Sequence, residues 1–351
     1  KNISMSAFPM CETCHQEYQS PHDRRFHAQP ISCRACGPEV FCSTVGGRVI
    51  AQGDDDVVTA VVGCLNQGAI IALKSVGGDH LICDAQNTEA VDLLRRRKNR
   101  PDKPFAVMLP EPQSDVPGQS WLDNCVVVNS QDKALLSSPI RPILLAPKKR
   151  NAPIAENVAP MLSDLGVMLP CSGLHLMLMK QFNRPMIATS GNEYGEPMVT
   201  STSSAQQQLS MLADFFVHHN RDICHKLDDS VLRTVMSGAI PFRLGRGLSP
   251  LELTLPYDVE EPLLAVGANQ KNTVSFAWKN RLVVTPHIGD LDSPIMQAHF
   301  EKCISDFQDL YHVSPQRILC DRHPGYISSR WAKDSPLPSS EILHHRAHAS
   351  A

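Results

Sequence analysis

The chain has 351 residues, too long for one small module and suited to two or three domains of roughly 100–200 residues each. Hydrophobic residues make up 42% and charged residues 20%, which allows a sizeable core and excludes wholesale disorder. Thirty-three basic side chains against thirty-six acidic ones leave a formal charge of −3, so nothing draws the whole chain to nucleic acid or to an anionic membrane. No apolar run approaches the roughly 18–20 residues that span a bilayer, and there is no signal-peptide pattern, so a soluble cytoplasmic protein is expected.

The first zone, residues 1–50, is rich in Cys, His, Pro and Arg and has little apolar periodicity. Of the twelve cysteines, four stand as Cys11-x-x-Cys14 and Cys33-x-x-Cys36, and the others are scattered, some in apolar stretches such as His80-Leu81-Ile82-Cys83. A secreted disulfide scaffold is shorter and more evenly linked. Two knuckles instead supply the four thiolates of a tetrahedral zinc, a closed and therefore structural site. His15, His22 and His27 lie between the pairs as alternative ligands. A zone that buries so little needs the metal to fold.

The middle zone, residues 51–255, alternates helical and strand-like segments. Asp54-Asp55-Asp56 suits a helix N-terminus, and Val57 to Gln67 follows as a helix that Gly68 can stop. Ala69 to Leu73 predicts a buried strand, then a loop at Gly77-Gly78 and a second strand to Asp84. Asn87 or Thr88 caps a helix through Lys98, with Pro101 just past its end. Phe105–Leu109, Pro142–Ala146, Gly166–Leu169 and Pro185–Ala188 are further strands, and Leu174–Phe182 and Ser203–Phe215 are helices. Mixed alternation of this kind predicts an α/β fold and not a bundle.

After the turn-prone Leu255-Pro256-Tyr257-Asp258, the last zone covers 261–351. Leu263 to Gly267 reads as a strand, and Thr273–Trp278 and Arg281–Thr285 as a hairpin turning at Lys279-Asn280. A helix over Pro294–Tyr311 and a strand at Ile318–Asp321 come next. This order opens an actin-like or ribonuclease-H-like lobe without closing it, so an internal fragment of a longer protein is expected.

Several groups can carry chemistry. Arg95 to Pro104 is the densest basic run. It is either the solvated end of a helix or, lying between two strands, a set of fixed cations for a triphosphate. Thr189-Ser190-Gly191-Asn192 ends another apolar strand, where it makes a simple turn or approaches phosphate closely. Arg221-Asp222, Asp228-Asp229-Ser230, Arg243 and Arg246-Gly247 place polar groups at strand edges. His344 and His348, at i and i+4, suit two imidazoles on one metal but lack a third ligand.

Further ordered motifs are Phe8-Pro9-Met10-Cys11, Asp23 to Pro30, Lys98-x-Arg100-Pro101-x-Lys103-Pro104, Gly166 to Pro170, His219 to Ile223, His287 to Leu291, Asp321-x-His323-Pro324-Gly325-Tyr326 and His344-His345-x-Ala347-His348. With both knuckles and Thr189 to Asn192, they resemble the hydrogenase-maturation carbamoyltransferases, the HypF family, along essentially the whole chain. The resemblance implies a small four-cysteine zinc module over 1–50, a YrdC-like ATP-binding α/β domain over 51–255, and the start of an actin-like carbamoyl-transfer domain over 261–351. It implies that carbamate, released from carbamoyl phosphate, is activated by ATP with Mg2+ as carbamoyl-adenylate. The carbamoyl group then passes to the C-terminal cysteine of a HypE-type partner, for the cyanide ligands of a nickel–iron hydrogenase.

By the same resemblance Lys98, Arg100, Ser190 and Asn192 bind nucleotide phosphates. Lys103, Arg243 and Arg246 are further candidates for that pocket, and His344 and His348 hold a divalent metal of the transfer domain. Four departures stand out. Asp79 replaces an aromatic residue in Gly-Gly-Phe-His, placing like charge beside carbamate and ATP. Leu244 and the Leu248-Ser249 pair alter an Arg-Gly segment, Cys171-Ser172-Gly173-Leu174-His175 replaces a polar-Pro-Leu-His type segment, and Arg346 enters the histidine cluster. The alternatives are a YrdC-type RNA-binding protein or tRNA threonylcarbamoyl-adenylate synthase, against which the knuckles and the net charge speak, and an inactive scaffold.

Overall fold

A computed structural model describes residues 3–113, 119–193, 195–236 and 238–350. In chain order the strands are β1 (Val40–Thr44), β2 (Val49–Gln52), β3 (Ile71–Lys74), β4 (Asp79–Asp84), β5 (Ala106–Met108), β6 (Ile143–Pro147), β7 (Asp164–Met168) and β8 (Met186–Ser190). There follow β9 (Phe215–His219), β10 (Val231–Val235), β11 (Gly238–Arg243), β12 (Leu251–Ala265), β13 (Ser275–Val284), β14 (Arg317–Asp321) and β15 (Ser339–Ile342). The chain divides into two compact units, the first formed by residues 1–129, 146–191 and 198–226, the second by 130–145, 192–197 and 227–351. Among the described residues no helix is long and apolar enough to cross a membrane.

The first unit is built on a mixed sheet in the order β7-β5-β8-β4-β3-β9-β1-β2. β5 and β7 run parallel, as do β3 and β9, and the other neighbours are antiparallel. β3 and β4 are buried along their whole length, which explains why their sequences read as continuous runs and not as alternation. Local chemistry sets the helix ends. Asp54–Asn66 begins with three aspartates in its first turn. Thr88–Arg97 is capped by Asn87, whose side chain accepts the Ala90 N–H at 3.1 Å. Gly173–Phe182 is capped by Ser172 and closed by Asn183 in the left-handed region. Val61, Leu65, Leu178 and Phe182 bury the apolar sides of two of these helices, at about 1.5–3 kcal/mol for each large side chain.

Two expectations change here. The helix predicted over Ser203–Phe215 stops at Gln208, and Phe215 opens β9. Asp214 enforces the stop: its carboxylate accepts the Ile70 N–H at 2.9 Å and pairs with Arg97 at 2.8 Å, which pins the chain before the strand. The first zone is also not all knuckle. Glu12–Gln19 is a helix, and β1 pairs with β9 from Val40 opposite His219 to Thr44 opposite Phe215, so the zone's last residues belong to the sheet.

In the second unit β10 lies parallel to β6 and antiparallel to β11. A separate sheet runs β13-β12-β14-β15, with β12, β14 and β15 parallel and β13 antiparallel. The hairpin turn predicted at Lys279-Asn280 is instead a kink inside β13. Leu251–Thr254 pairs with Arg281–Val284, and Leu263–Ala265 pairs with Ser275–Ala277, with register shifts between. The chain around 255–258, predicted as a turn, is the extra length that these shifts absorb. Helix Pro294–Tyr311 matches its predicted span, with Ser293 as its cap and Pro294 in the first turn. Leu264, Phe276, Phe300, Ile304 and Ile318 pack as the core between this helix and its sheet.

Candidate functional site

The four knuckle cysteines converge. Cys11 and Cys33 sulfurs are 3.7 Å apart, Cys33 and Cys36 3.8 Å, and Cys36 and Cys14 3.6 Å. Sulfurs at about 2.3 Å from a tetrahedral zinc stand about 3.8 Å from one another. The donor set therefore fits zinc, which when bound ties the two knuckles together. Cys14 sits in the first turn of helix Glu12–Gln19, and Cys11 is its N-cap. Gly37 closes the second knuckle by donating to the Cys33 carbonyl at 2.7 Å, and a Cβ there would meet that oxygen at 2.8 Å. Backbone hydrogen bonds pull the Cys36 thiol down to about 6, while burial and the neighbouring thiols push Cys14 up to about 12. His15, His22 and His27 are not in the cluster.

The basic run splits into residues with different jobs. Arg95 is buried on the apolar side of its helix and donates to five main-chain carbonyls: Asn157, Arg100, Pro101, Lys103 and Val158, at 2.7 to 3.1 Å. Its guanidinium also lies 4.7 Å from the centre of the Phe105 ring. Arg97 is the ion-pair partner of Asp214. Lys98 is buried at the end of the helix and donates through Nζ to the Ser190 carbonyl at 2.7 Å. That contact joins the Lys98-x-Arg100 and Ser190-x-Asn192 motifs across 92 positions of sequence. Arg100 donates to the Pro104 carbonyl at 2.6 Å beside the same ring, and Lys103 is exposed. Gly191 lies so near β4 that a Cβ would meet the Asp79 carbonyl at 2.7 Å. In the second unit, Asn192 donates to the Glu196 carbonyl.

Arg246 is occupied within the second unit. It donates to Asp229 at 2.8 and 3.0 Å and to the carbonyls of Ile140 and Arg141. Ser230 accepts the Gly245 N–H at 3.0 Å, and a Cβ at Gly245 would collide with the Asp228 carbonyl oxygen. The Asp228-Asp229-Ser230 and Gly245-Arg246-Gly247 segments thus interlock. Arg243 ends β11 opposite Val231 and adds, after burial, to the forces that lower the His287 imidazole.

Asp79 departs from expectation. Its charge does not face open space: the side chain is fully buried, with Oδ1 3.4 Å from Nε2 of the equally buried His218. The His218 imidazole is the ring that this buried side chain faces. Ser172 and Cys171 both lie near His175 Nδ1, at 3.0 and 3.4 Å, so that altered segment is a helix cap over a buried histidine.

At the other end, His344 opens the helix His344–Ser350 and its Nδ1 lies 2.7 Å from Asp321 Oδ2. His348 Nε2 is 3.1 Å from His344 Nε2. Two imidazoles on one metal at about 2.0–2.1 Å stand about 3.0–3.4 Å apart, so the pair fits a shared cation. Asp321 would fix the ring that faces it. Arg346 and His345 are exposed. Sequence reasoning named Arg95 only as one of a run of cations and Asp321 only within a motif, without their anchoring roles, and it missed His218. The position of Arg95 beside Val91 and Leu94, on the helix's buried side, was the readable signal for the first.

Comparison with known proteins agrees with this geometry. A family model described as telomere recombination, of the Sua5, YciO and YrdC proteins, matches residues 63–245. The central domain is therefore of the YrdC class. Models described as the HypF finger and the HypF Kae1-like domain match 10–42 and 258–351. Carbamoyltransferase HypF of Rhodobacter capsulatus is 37% identical over 99% of this chain and 46% of its own length. That of Synechocystis sp. is 41% identical over 87% and 39%. A full-length HypF solved in a phosphate- and nucleotide-bound form superposes with a TM-score of 0.92 at 38% identity, over 99% of this chain and 44% of that one. The chain belongs to the HypF family and spans under half the length of these relatives. A threonylcarbamoyl-AMP synthase of Photobacterium profundum is more distant, at 25% identity over 44% of this chain and 82% of its own length.

Two outcomes are expected. The purified chain should carry about one zinc, and Cys14→Ser should abolish it; metal analysis showing full zinc in that variant would reject the four-thiolate site. Arg95→Lys keeps the charge but loses the fork that ties five carbonyls, so it should cost about 2–4 kcal/mol of stability in urea unfolding. A loss under about 0.5 kcal/mol, the range of an ordinary surface substitution, would contradict that role.

Proposed function

We propose that the central domain activates carbamate with ATP, forming carbamoyl-adenylate and pyrophosphate, and that the complete protein serves nickel–iron hydrogenase maturation in the cytoplasm. Carbamate oxygen attacks the α-phosphorus, the bond to the β-phosphate breaks, and pyrophosphate leaves with Mg2+. Two anions must meet, so fixed cations and excluded water are the chief requirements. The observation that carries this reading is the Lys98 ammonium held on the Ser190 carbonyl, which brings both phosphate-binding motifs to one strand end. Lys98, Arg100, Ser190 and Asn192 bind nucleotide phosphates, and the exposed Lys103 is a further cation for the leaving group. Arg243 and Arg246 are proposed as phosphate-binding residues of the second unit, Arg246 acting through the Asp229 ion pair that fixes its segment. The phosphate- and nucleotide-bound state of a relative at 38% identity supports a nucleotide here.

In the transfer domain His344 and His348 would hold a divalent cation, which supplies Lewis acidity there, and Asp321 would orient His344. The acceptor is the C-terminal thiol of a HypE-type partner: sulfur bonds to the carbamoyl carbon and AMP leaves. Carbamoyl phosphate is the source of the carbamate. Membership of the HypF family at 37–41% identity favours carbamate over threonine-derived substrates.

The test is exchange of labelled pyrophosphate into ATP. Exchange should require carbamate, should ignore threonine, and should fall by about 100-fold or more in Lys98→Ala and in Arg100→Ala. Exchange that needs threonine, or that survives both variants, would overturn the assignment.

A further inference from the structure

Behind the Ser190-Gly191-Asn192 turn lies a row of buried ionisable groups that the proposed chemistry does not use. Lys74 on β3 is the antiparallel partner of Asp79 on β4, so both side chains lie on one face. β9 runs parallel to β3 with Val217 beside Leu73, which puts His218 next to Lys74 on that same face. Exposure is 4% for Lys74, 0% for Asp79 and 0% for His218. Lys74 is anchored elsewhere, donating to the carbonyls of His219 at 3.1 Å and Arg221 at 2.9 Å.

Among the described residues neither carboxylate oxygen of Asp79 makes a hydrogen bond, and neither imidazole nitrogen of His218 does. What holds the Asp79 side chain is its proximity to His218, 3.4 Å from Oδ1 to Nε2, with Lys74 alongside. The main chain of Asp79 is tied to the phosphate-binding turn on both sides. Its N–H donates to the Val199 carbonyl at 2.8 Å, its carbonyl accepts the Gly191 N–H at 2.5 Å, and Val199 N–H donates back to Gly191 at 3.0 Å. A Cβ at Gly191 would come within 2.8 Å of the Asp79 Cβ, so the two backbones are in close approach there. These main-chain bonds pass any shift of the Asp79 backbone to Gly191, and with it to Ser190, whose carbonyl receives Lys98.

We propose that Asp79 and His218 act as one buried acid–imidazole pair, positioning residues that lock the Gly191 turn in its nucleotide-binding shape. Neither touches substrate. The pair sets how well the turn is formed before ATP arrives, so it governs nucleotide affinity and not the bond-making step. The inference rests on the nucleotide site proposed above.

Four variants of the full chain test it: Asp79→Asn, Asp79→Leu, His218→Leu, and the Asp79→Leu/His218→Leu double. Two readouts are taken, hydrogen exchange at the Gly191 amide and the ATP dependence of pyrophosphate exchange. Each single leucine variant should speed Gly191 exchange and raise the KM for ATP by about tenfold, with the maximal rate little changed; the double should lose no more than the worse single, because the effects of two residues that act as one unit do not add. Asp79→Asn, which keeps the shape, should speed Gly191 exchange less than Asp79→Leu does. Losses that multiply in the double, or Gly191 exchange unchanged in both single variants, would overturn the pair. Should the leucine variants fail to fold, unchanged Gly191 exchange in Asp79→Asn would overturn it too. If the parent chain shows no ATP-dependent exchange, the nucleotide reading fails by itself, and Gly191 protection still decides whether the pair locks the turn.

Discussion

The buried guanidinium of Arg95 is the constraint on which the central site depends. It gathers the carbonyls of Arg100, Pro101 and Lys103 around one planar cation and braces them on Phe105. Without it, the carbonyls of Arg100, Pro101 and Lys103 would lose the donor they share. With it, the helix that ends at Lys98 passes directly into a folded loop, and the Lys98 ammonium can reach across to Ser190. The basic run is therefore neither a solvated helix end nor a uniform cationic patch. One arginine is spent on architecture, another is neutralised by Asp214, and Lys98 is aimed at the strand end.

The same division recurs elsewhere. Arg246 and Asp229 fasten two glycine-containing segments of the second unit. Asp321 faces His344, and that contact would leave the other ring nitrogen toward His348. In each case a charged residue within a recognisable motif works through another residue. Motif spacing alone cannot distinguish the two roles, because both are written in the same residue types.

Much of the fold was legible because local signals agreed with the tertiary outcome. Asn87, Ser172 and Pro294 mark helix starts by their cap chemistry, and the buried strands read as short apolar runs. The failures have physical causes. The helix past Gln208 was propensity overruled by Asp214, whose contacts with Ile70 and Arg97 lie far away in sequence. β1 pairs with β2 close by and with β9 more than a hundred residues on, and its short run, broken by Cys42 and Ser43 inside a Cys-rich zone, gave no strand pattern to read. The kink at Lys279 passed for a turn since a left-handed residue serves either purpose. Of the site, the four cysteines could be read directly from their spacing, whereas Lys98 and Ser190 stood out only through the family resemblance. The pairing of Asp79 with His218 could not be read, since it needs the registers of three strands at once.

The proposed activity comes down to one chemical step, the linking of carbamate carbon through oxygen to the α-phosphorus of ATP at the Lys98–Ser190 strand end. Carbon-13 NMR of labelled carbamate, incubated with the zinc-loaded chain, ATP and Mg2+, looks for that bond directly. The account predicts a new carboxyl resonance split by phosphorus, present with the parent chain and missing with Lys98→Ala. Bound ATP with only unsplit carbamate and bicarbonate signals would contradict it.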